Sequence, residues 1–210
     1  MRRIALRGFL GQELPIRQPS SRMGTFLGVN ELGKKRKKAP PLGKYSRIPI
    51  PDDEDGIRYE ISRMIDFAQE FSGDPRLREP ATRIISKCRA RNQKCEVNAL
   101  YKWVCKNTRF VQDPYNKEML STPYKMLRDI DTHGMAHGDC DDLSTFLATM
   151  ISSIGVRPRF RFGGNHEQGI HHVWVQAEID GKWYDLDPSL GKPMGRYHRF
   201  QIYEVEEIWD

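Results

Sequence analysis

The chain has 210 residues and a formal net charge of +6, and that charge is unevenly placed: residues 1–50 hold 12 Lys and Arg against 2 Glu, leaving 22 basic and 26 acidic residues in the remainder. An N-terminal segment of +10 joined to a body of −4 excludes reading the folded part as a basic, nucleic-acid-binding domain. No run approaches the roughly 18 apolar residues that a membrane-spanning helix requires, and Met1 is followed by a short mixed stretch, so the expectation is a soluble, cytoplasmic protein with reduced thiols.

Residues 1–50 read as an extended basic arm and residues 51–210 as the folded domain. The arm is rich in Gly and Pro and has no apolar period, so it cannot build a core of its own. Within it Lys34, Lys35, Arg36, Lys37 and Lys38 form a run of five positive charges. Three readings stand for that run: a solvated tail, a nucleic-acid contact, or a docking strip for neighbouring protein subunits in an assembly.

The acidic stretch Asp52 to Asp55 enters a first helix, over which Ile57, Ile61, Met64, Ile65, Ala68 and Phe71 make an amphipathic face, with Gly73 and Pro75 as its end. A second helix is predicted from about Glu79 to Arg91 and a third from about Val97 to Cys105. On these helices Cys88 and Cys105 read as core thiols, and Cys95 as a loop residue. Turn signals at Asp113-Pro114 and Thr122-Pro123 bracket an irregular stretch with a short helix from Pro123 to about Arg128. His133, His137 and Cys140 stand close together, but no fourth ligand follows at a workable spacing, and no metal is assigned.

Gly138-Asp139-Cys140 opens a helix whose apolar residues Leu143, Phe146, Leu147, Met150, Ile151 and Ile154 recur at helical spacing, with Gly155 as its stop. A thiol in the first helical turn faces unpaired N–H groups and the positive end of the macrodipole, which favour the thiolate; Asp139, Asp141 and Asp142 oppose it. Strands follow. Arg157 to Phe162 alternates basic and aromatic residues and reads as an edge strand, turned at Gly163-Gly164-Asn165. His166-Glu167 resembles the start of a zinc-protease helix, but position 170 is Ile, so that motif is absent. His171 to Ile179 is a strand with Val173, Val175, Ala177 and Ile179 on one face and His172, Trp174 and Gln176 on the other. Asp180-Gly181 is a hairpin signal, Lys182 to Asp187 the partner strand, and residues 198–208 a further strand.

The hairpin brings residues near 172 to 176 beside those near 185 to 189, so that a histidine on one strand can reach a carboxylate on the next. Cysteine at a helix start, then histidine, then aspartate is the order of a Cys-His-Asp site, in which the thiolate attacks a carbonyl, the imidazole moves the proton, and the carboxylate fixes the imidazole. The adjacent pairs His171/His172 and Asp185/Asp187 leave the choice of residue open on this ground alone.

Gly138-Asp139-Cys140-Asp141-Asp142-Leu143, His172-Val173-Trp174-Val175, and the ending Trp183 to Asp187-Pro188-Ser189 together resemble the three signature blocks of the transglutaminase-like superfamily, over roughly residues 95–190. The resemblance implies an α+β, papain-like fold in which the cysteine helix packs on an antiparallel sheet. It selects Cys140, His172 and Asp187 as the site and implies peptidase or acyl-transfer chemistry on a protein or peptide amide, without a cofactor. Calcium dependence, a feature of large animal members, is not carried over, because no matching acidic cage is apparent. Short microbial members include bacteriophage proteins, so a structural or assembly role, as a virion component docked through the basic arm, is the competing expectation.

Overall fold

The computed structural model describes residues 47–50, 54–114, 118–167, 169–196 and 199–209. Residues 1–46, with the Lys34 to Lys38 run and its expected subunit and nucleic-acid contacts, lie outside the described residues. In chain order the elements are β1 (Arg47–Ile50), α1 (Glu54–Ser72), α2 (Pro75–Ile85), α3 (Gln93–Asn107), β2 (Thr108–Phe110), β3 (Glu118–Ser121), α4 (Pro123–His133), β4 (Ala136–Gly138), α5 (Cys140–Ser153), β5 (Pro158–Asn165), β6 (Gly169–Ile179), β7 (Lys182–Leu186) and β8 (Ile202–Glu207). This is the α+β arrangement expected, helices first and an antiparallel sheet after them.

Helix starts follow local side-chain chemistry. The Asp74 carboxylate accepts from the Arg76 N–H at 2.9 Å, and Pro75 occupies the first turn, where a missing N–H costs nothing. Gly73 and Pro75 therefore end α1 and at once begin α2, four residues before the predicted start. Asn92 caps α3 through the Cys95 N–H at 3.1 Å, and Thr122 caps α4 through the Lys125 N–H at 3.1 Å. The predicted short helix at 123–128 runs on to His133, because Met126, Leu127 and Ile130 continue one buried face.

Two expectations about the cysteines change. Helix α2 stops at Ile85 and the chain doubles back, so Cys88 leaves the core face and is joined by a disulfide to Cys95, seven residues on, across a Cα–Cα distance of 5.8 Å. Cys88 is thus neither a core thiol nor reduced; Cys105 and Cys140 are the free thiols.

Helix α5 is the central element. It packs on α1 on one side and on β6 and β5 on the other, and every residue from Asp141 to Ile151 is buried, so the expected single apolar stripe is a helix enclosed all round. Three of its hydroxyls are paired within that core: Ser144 Oγ donates to the Val173 carbonyl at 3.1 Å, Thr149 Oγ1 to the Thr145 carbonyl at 2.8 Å and Ser153 Oγ to the Met150 carbonyl at 2.8 Å, whereas the buried Thr145 hydroxyl has no partner among the described residues.

The main sheet has the order β7-β6-β5-β8, antiparallel throughout; β1 pairs antiparallel with β3, and β2 parallel with β4. The β6–β7 hairpin turns at Asp180 and Gly181, both at positive φ (50° and 73°), as that dipeptide predicts. β5, expected at an edge, is interior. Gly163-Gly164-Asn165 does not turn the chain but continues β5 through a register shift between Gly163 and Gly164. The basic positions of β5 serve its neighbours on either side. Arg159 bonds Gln176 at 2.9 Å and Glu207 at 3.0 Å, and its guanidinium lies 3.9 Å from the centroid of the Trp183 ring. Among the described residues no helix is long and apolar enough to cross a membrane.

Candidate active site

Cys140 is the first residue of α5, and Asp139 before it has extended backbone and makes no side-chain capping bond. The N–H groups of the first turn are therefore not consumed by that carboxyl. Gly138 is required for this entry: a Cβ there would lie 2.4 Å from Asp142 Oδ2. The Asp142 carboxylate instead accepts from the Ser121 N–H at 2.5 Å and the Ser121 hydroxyl at 3.3 Å, tying α5 to β3.

Burial pushes the half-buried Cys140 thiol well above its ordinary value, and the Asp141 and Asp139 charges push the same way; the Val173 N–H, hydrogen-bonded to the sulfur, opposes them. The resting group is a thiol, not the thiolate that the helix terminus alone would favour. The acids repel only when ionised, and burial holds them protonated. Asp139 is pushed up to about 11 by burial and by Asp141. Asp141 is raised well above the carboxylate range by burial, and Asp142 is raised to about 8, again by burial first. Three acids beside Cys140 are in this way compatible with a reactive thiol.

Asp139, Asp141 and Asp142 bring their carboxylate oxygens within 4.8 Å of one another, and among the described residues no other His, Cys, Asp or Glu group converges so. They are the residues that could hold a cation. His133 and His137 are both exposed and form no such group with Cys140.

His172 lies on β6, beside Val173, whose N–H meets the thiol. Its Nε2 is 2.8 Å from Asp187 Oδ2. The registered β6–β7 pairs end at Val175 and Leu186, so Asp187, just past the strand, reaches His172 diagonally, two residues along from the position directly opposite. Asp187 is 1% exposed, and its other oxygen accepts from the N–H groups of Ser189 at 3.1 Å and Leu190 at 3.2 Å. Its carbonyl accepts from the Tyr101 hydroxyl of α3 at 2.9 Å. With Nε2 engaged by Asp187, Nδ1 is the other nitrogen of the ring.

The alternatives left open by the sequence are placed elsewhere. His171 Nδ1 is 3.0 Å from the Gly169 carbonyl, and Asp185 accepts from Trp174 Nε1 at 2.7 Å, Gln176 Nε2 at 2.9 Å and Arg161 Nη1 at 3.2 Å. Tyr101 and Phe200, both in contact with the His172–Asp187 region, were not foreseen. The only sequence signal for Phe200 was the Gly163-Gly164 pair inside a strand, which marks a close approach as readily as a turn.

The sequence profile described as the transglutaminase-like superfamily matches residues 79–188. The chain belongs to that superfamily. No curated protein matches the chain. Among solved structures, a candidate cysteine protease from Cytophaga hutchinsonii aligns at 14% identity and TM-score 0.45, over 69% of this chain and 51% of that one. A candidate protease from Parabacteroides distasonis aligns at 19% identity and TM-score 0.43, over 62% and 26%, and a TGase at 17% and 0.35, over 65% and 34%. The chain thus spans about half the length of the first of these proteins and less of the other two.

Proposed function

We propose that the protein is a cysteine-nucleophile amide hydrolase or acyltransferase acting on a protein or peptide, with Cys140, His172 and Asp187 as its catalytic group. The observation that carries this reading is the 2.8 Å contact between His172 Nε2 and Asp187 Oδ2, on the strand that also meets the Cys140 thiol through the Val173 N–H. Because the thiol is held protonated at rest, His172 acts as general base: Nδ1 takes the proton as sulfur bonds to the carbonyl carbon. The backbone N–H of Cys140 donates to the resulting oxyanion. Collapse of that intermediate breaks the carbon–nitrogen bond, the imidazolium returns its proton to the leaving amine, and an acyl-thioester remains. Water or a second amine then releases the acyl group. Asp187 stabilises the imidazolium and fixes its orientation.

The test is alkylation and turnover together. Iodoacetamide is expected to label Cys140 faster than Cys105, and to do so less readily in His172→Ala. Cys140→Ala is expected to abolish both release of aminocoumarin from peptide amides and hydroxamate formation from glutaminyl peptides with hydroxylamine. Equal labelling of the two cysteines, with both activities intact in Cys140→Ala, would overturn the reading. The ratio of hydrolysis to hydroxamate formation distinguishes peptidase from acyltransferase.

The charge contrast between residues 1–50 and the remainder supports a second, compatible role, docking of the arm on acidic neighbours in a larger assembly such as a phage particle. Deleting residues 1–45 is then expected to abolish sedimentation as an assembly while leaving the domain folded; a truncated chain that still assembles would sink this second role.

A further inference from the structure

We infer that Phe200 is a positioning residue for the His172 imidazole, an inference that rests on the catalytic reading above. Phe200 lies beyond residue 188, where the match to the superfamily ends.

Three rings, those of His172, Trp174 and Phe200, lie within about 31° of parallel, with His171 and Tyr203 edge-on against Phe200 at 5.7 Å and 6.1 Å. His172 and Trp174, two residues apart on one face of β6, have centroids 5.8 Å apart and planes inclined by 23°. Phe200 lies across both, 5.7 Å from His172 at 31° and 5.5 Å from Trp174 at 21°. The ring can lie there because Gly163, opposite His172 in the β5–β6 register, has no side chain: a Cβ at that position would fall 2.4 Å from a ring carbon of Phe200. The backbone on this side is pinned as well. The Phe200 N–H donates to the Tyr203 hydroxyl at 2.8 Å, and the Gln201 N–H donates to the Gly164 carbonyl at 2.8 Å. The Gln201 side-chain oxygen accepts from the His166 N–H at 2.9 Å.

The imidazole is thus held by two independent constraints. Asp187 fixes one nitrogen, but a single hydrogen bond leaves the ring free to rock about it. The faces of Phe200 and Trp174 remove that freedom, and they keep water from the His172–Asp187 contact, where it would compete for the carboxylate. In this scheme Phe200 acts through His172.

The experiment measures two quantities in the full chain: hydrogen–deuterium exchange at the imidazole C2 position of each histidine by mass spectrometry, and the rate of Cys140 alkylation by iodoacetamide. Phe200→Ala removes the ring, and Gly163→Ala expels it without altering Phe200; circular dichroism identifies variants that remain folded. Both are expected to accelerate exchange at His172 several-fold, with the exposed His133 and His137 as unchanged references, and to slow Cys140 alkylation about tenfold. Phe200→Tyr, which keeps the ring, is expected to restore both. In turnover, kcat is expected to fall while KM holds, as for a group that orients the reacting side chains rather than the substrate. Unchanged exchange and alkylation in folded Phe200→Ala would overturn the inference. Alkylation insensitive to His172→Ala would instead overturn the catalytic reading, and with it the role assigned to Phe200, and that outcome is recognised without any Phe200 variant.

Discussion

Five aspartates are buried around the site, and the two elements that carry them settle the charge in opposite ways. Asp139, Asp141 and Asp142 crowd the start of α5, where Asp139 Oδ1 and Asp141 Oδ2 have no hydrogen-bond partner and burial drives all three towards the protonated form. Asp185 and Asp187, on and just after β7, are met by donors instead: an indole, an amide and a guanidinium for Asp185, and an imidazole with two backbone N–H groups for Asp187. Burial alone therefore does not say what a carboxyl does. Asp139 and Asp141 are driven towards neutral packing beside the thiol, whereas Asp142, bonded to Ser121, and the two strand acids are acceptors that hold other groups in place.

The comparison is broken most severely at Asp187. Asp187→Asn keeps the shape but turns an acceptor into a partial donor facing the imidazole, so turnover is expected to fall on the order of 10³- to 10⁴-fold with the fold intact, measured as kcat alongside circular dichroism. Asp185→Ala is expected to affect stability first, because it removes the acceptor shared by the buried Trp174 and Gln176 and the half-buried Arg161; a loss of about 3 kcal/mol, or ~6–12 °C in Tm, should appear by calorimetry. The smallest effect, and the one that separates the two groups most cleanly, has the opposite sign. Asp139 binds its proton more tightly folded (about 11) than unfolded (3.8). Its contribution is full below about pH 4 and is lost progressively as pH rises towards the folded value. Asp139→Asn removes that loss. Relative to wild type, the variant's advantage should grow by up to about 1.4 kcal/mol, or ~3–6 °C in Tm, for each unit of pH between about pH 5 and pH 8. A difference in Tm that does not change with pH would show that Asp139 is ionised in the native protein.

Much of this site was legible because its signals are local. A Gly-Asp-Cys entry ahead of a helical apolar period, an Asp-Gly turn between two β-branched stretches, and the resulting pairing of residues near 172 with those near 187 all follow from the chain's immediate neighbourhood. What was not legible depends on residues distant in sequence. Nothing near Arg159 and Arg161 says that Glu207 and Asp185 will answer them from two different strands, so an interior strand read as an edge. Nor does the local sequence around Cys88 reveal that α2 ends three residues before it and points it at Cys95. The balance at Cys140 was legible in its components, a helix terminus against acids, but not in its outcome, since that depends on enclosure of α5 by α1 and the sheet.

β8 also closes a vulnerability of the sheet. Among the described residues it is paired on one side, by β5 alone, and such a border invites a strand from another molecule. Tyr203 and Val205 are exposed along it, a surface suited to such pairing, but Glu204, Glu206 and Glu207 place three carboxylates within the same six residues. Like charges on an incoming copy would meet them. That guard works only while they are ionised, and Glu206, raised by burial and by Glu204, is expected to be among the first to lose its charge on acidification. The border is therefore expected to be better guarded by charge at neutral pH than in acid, the conditions in which the buried acids of α5 are most at ease.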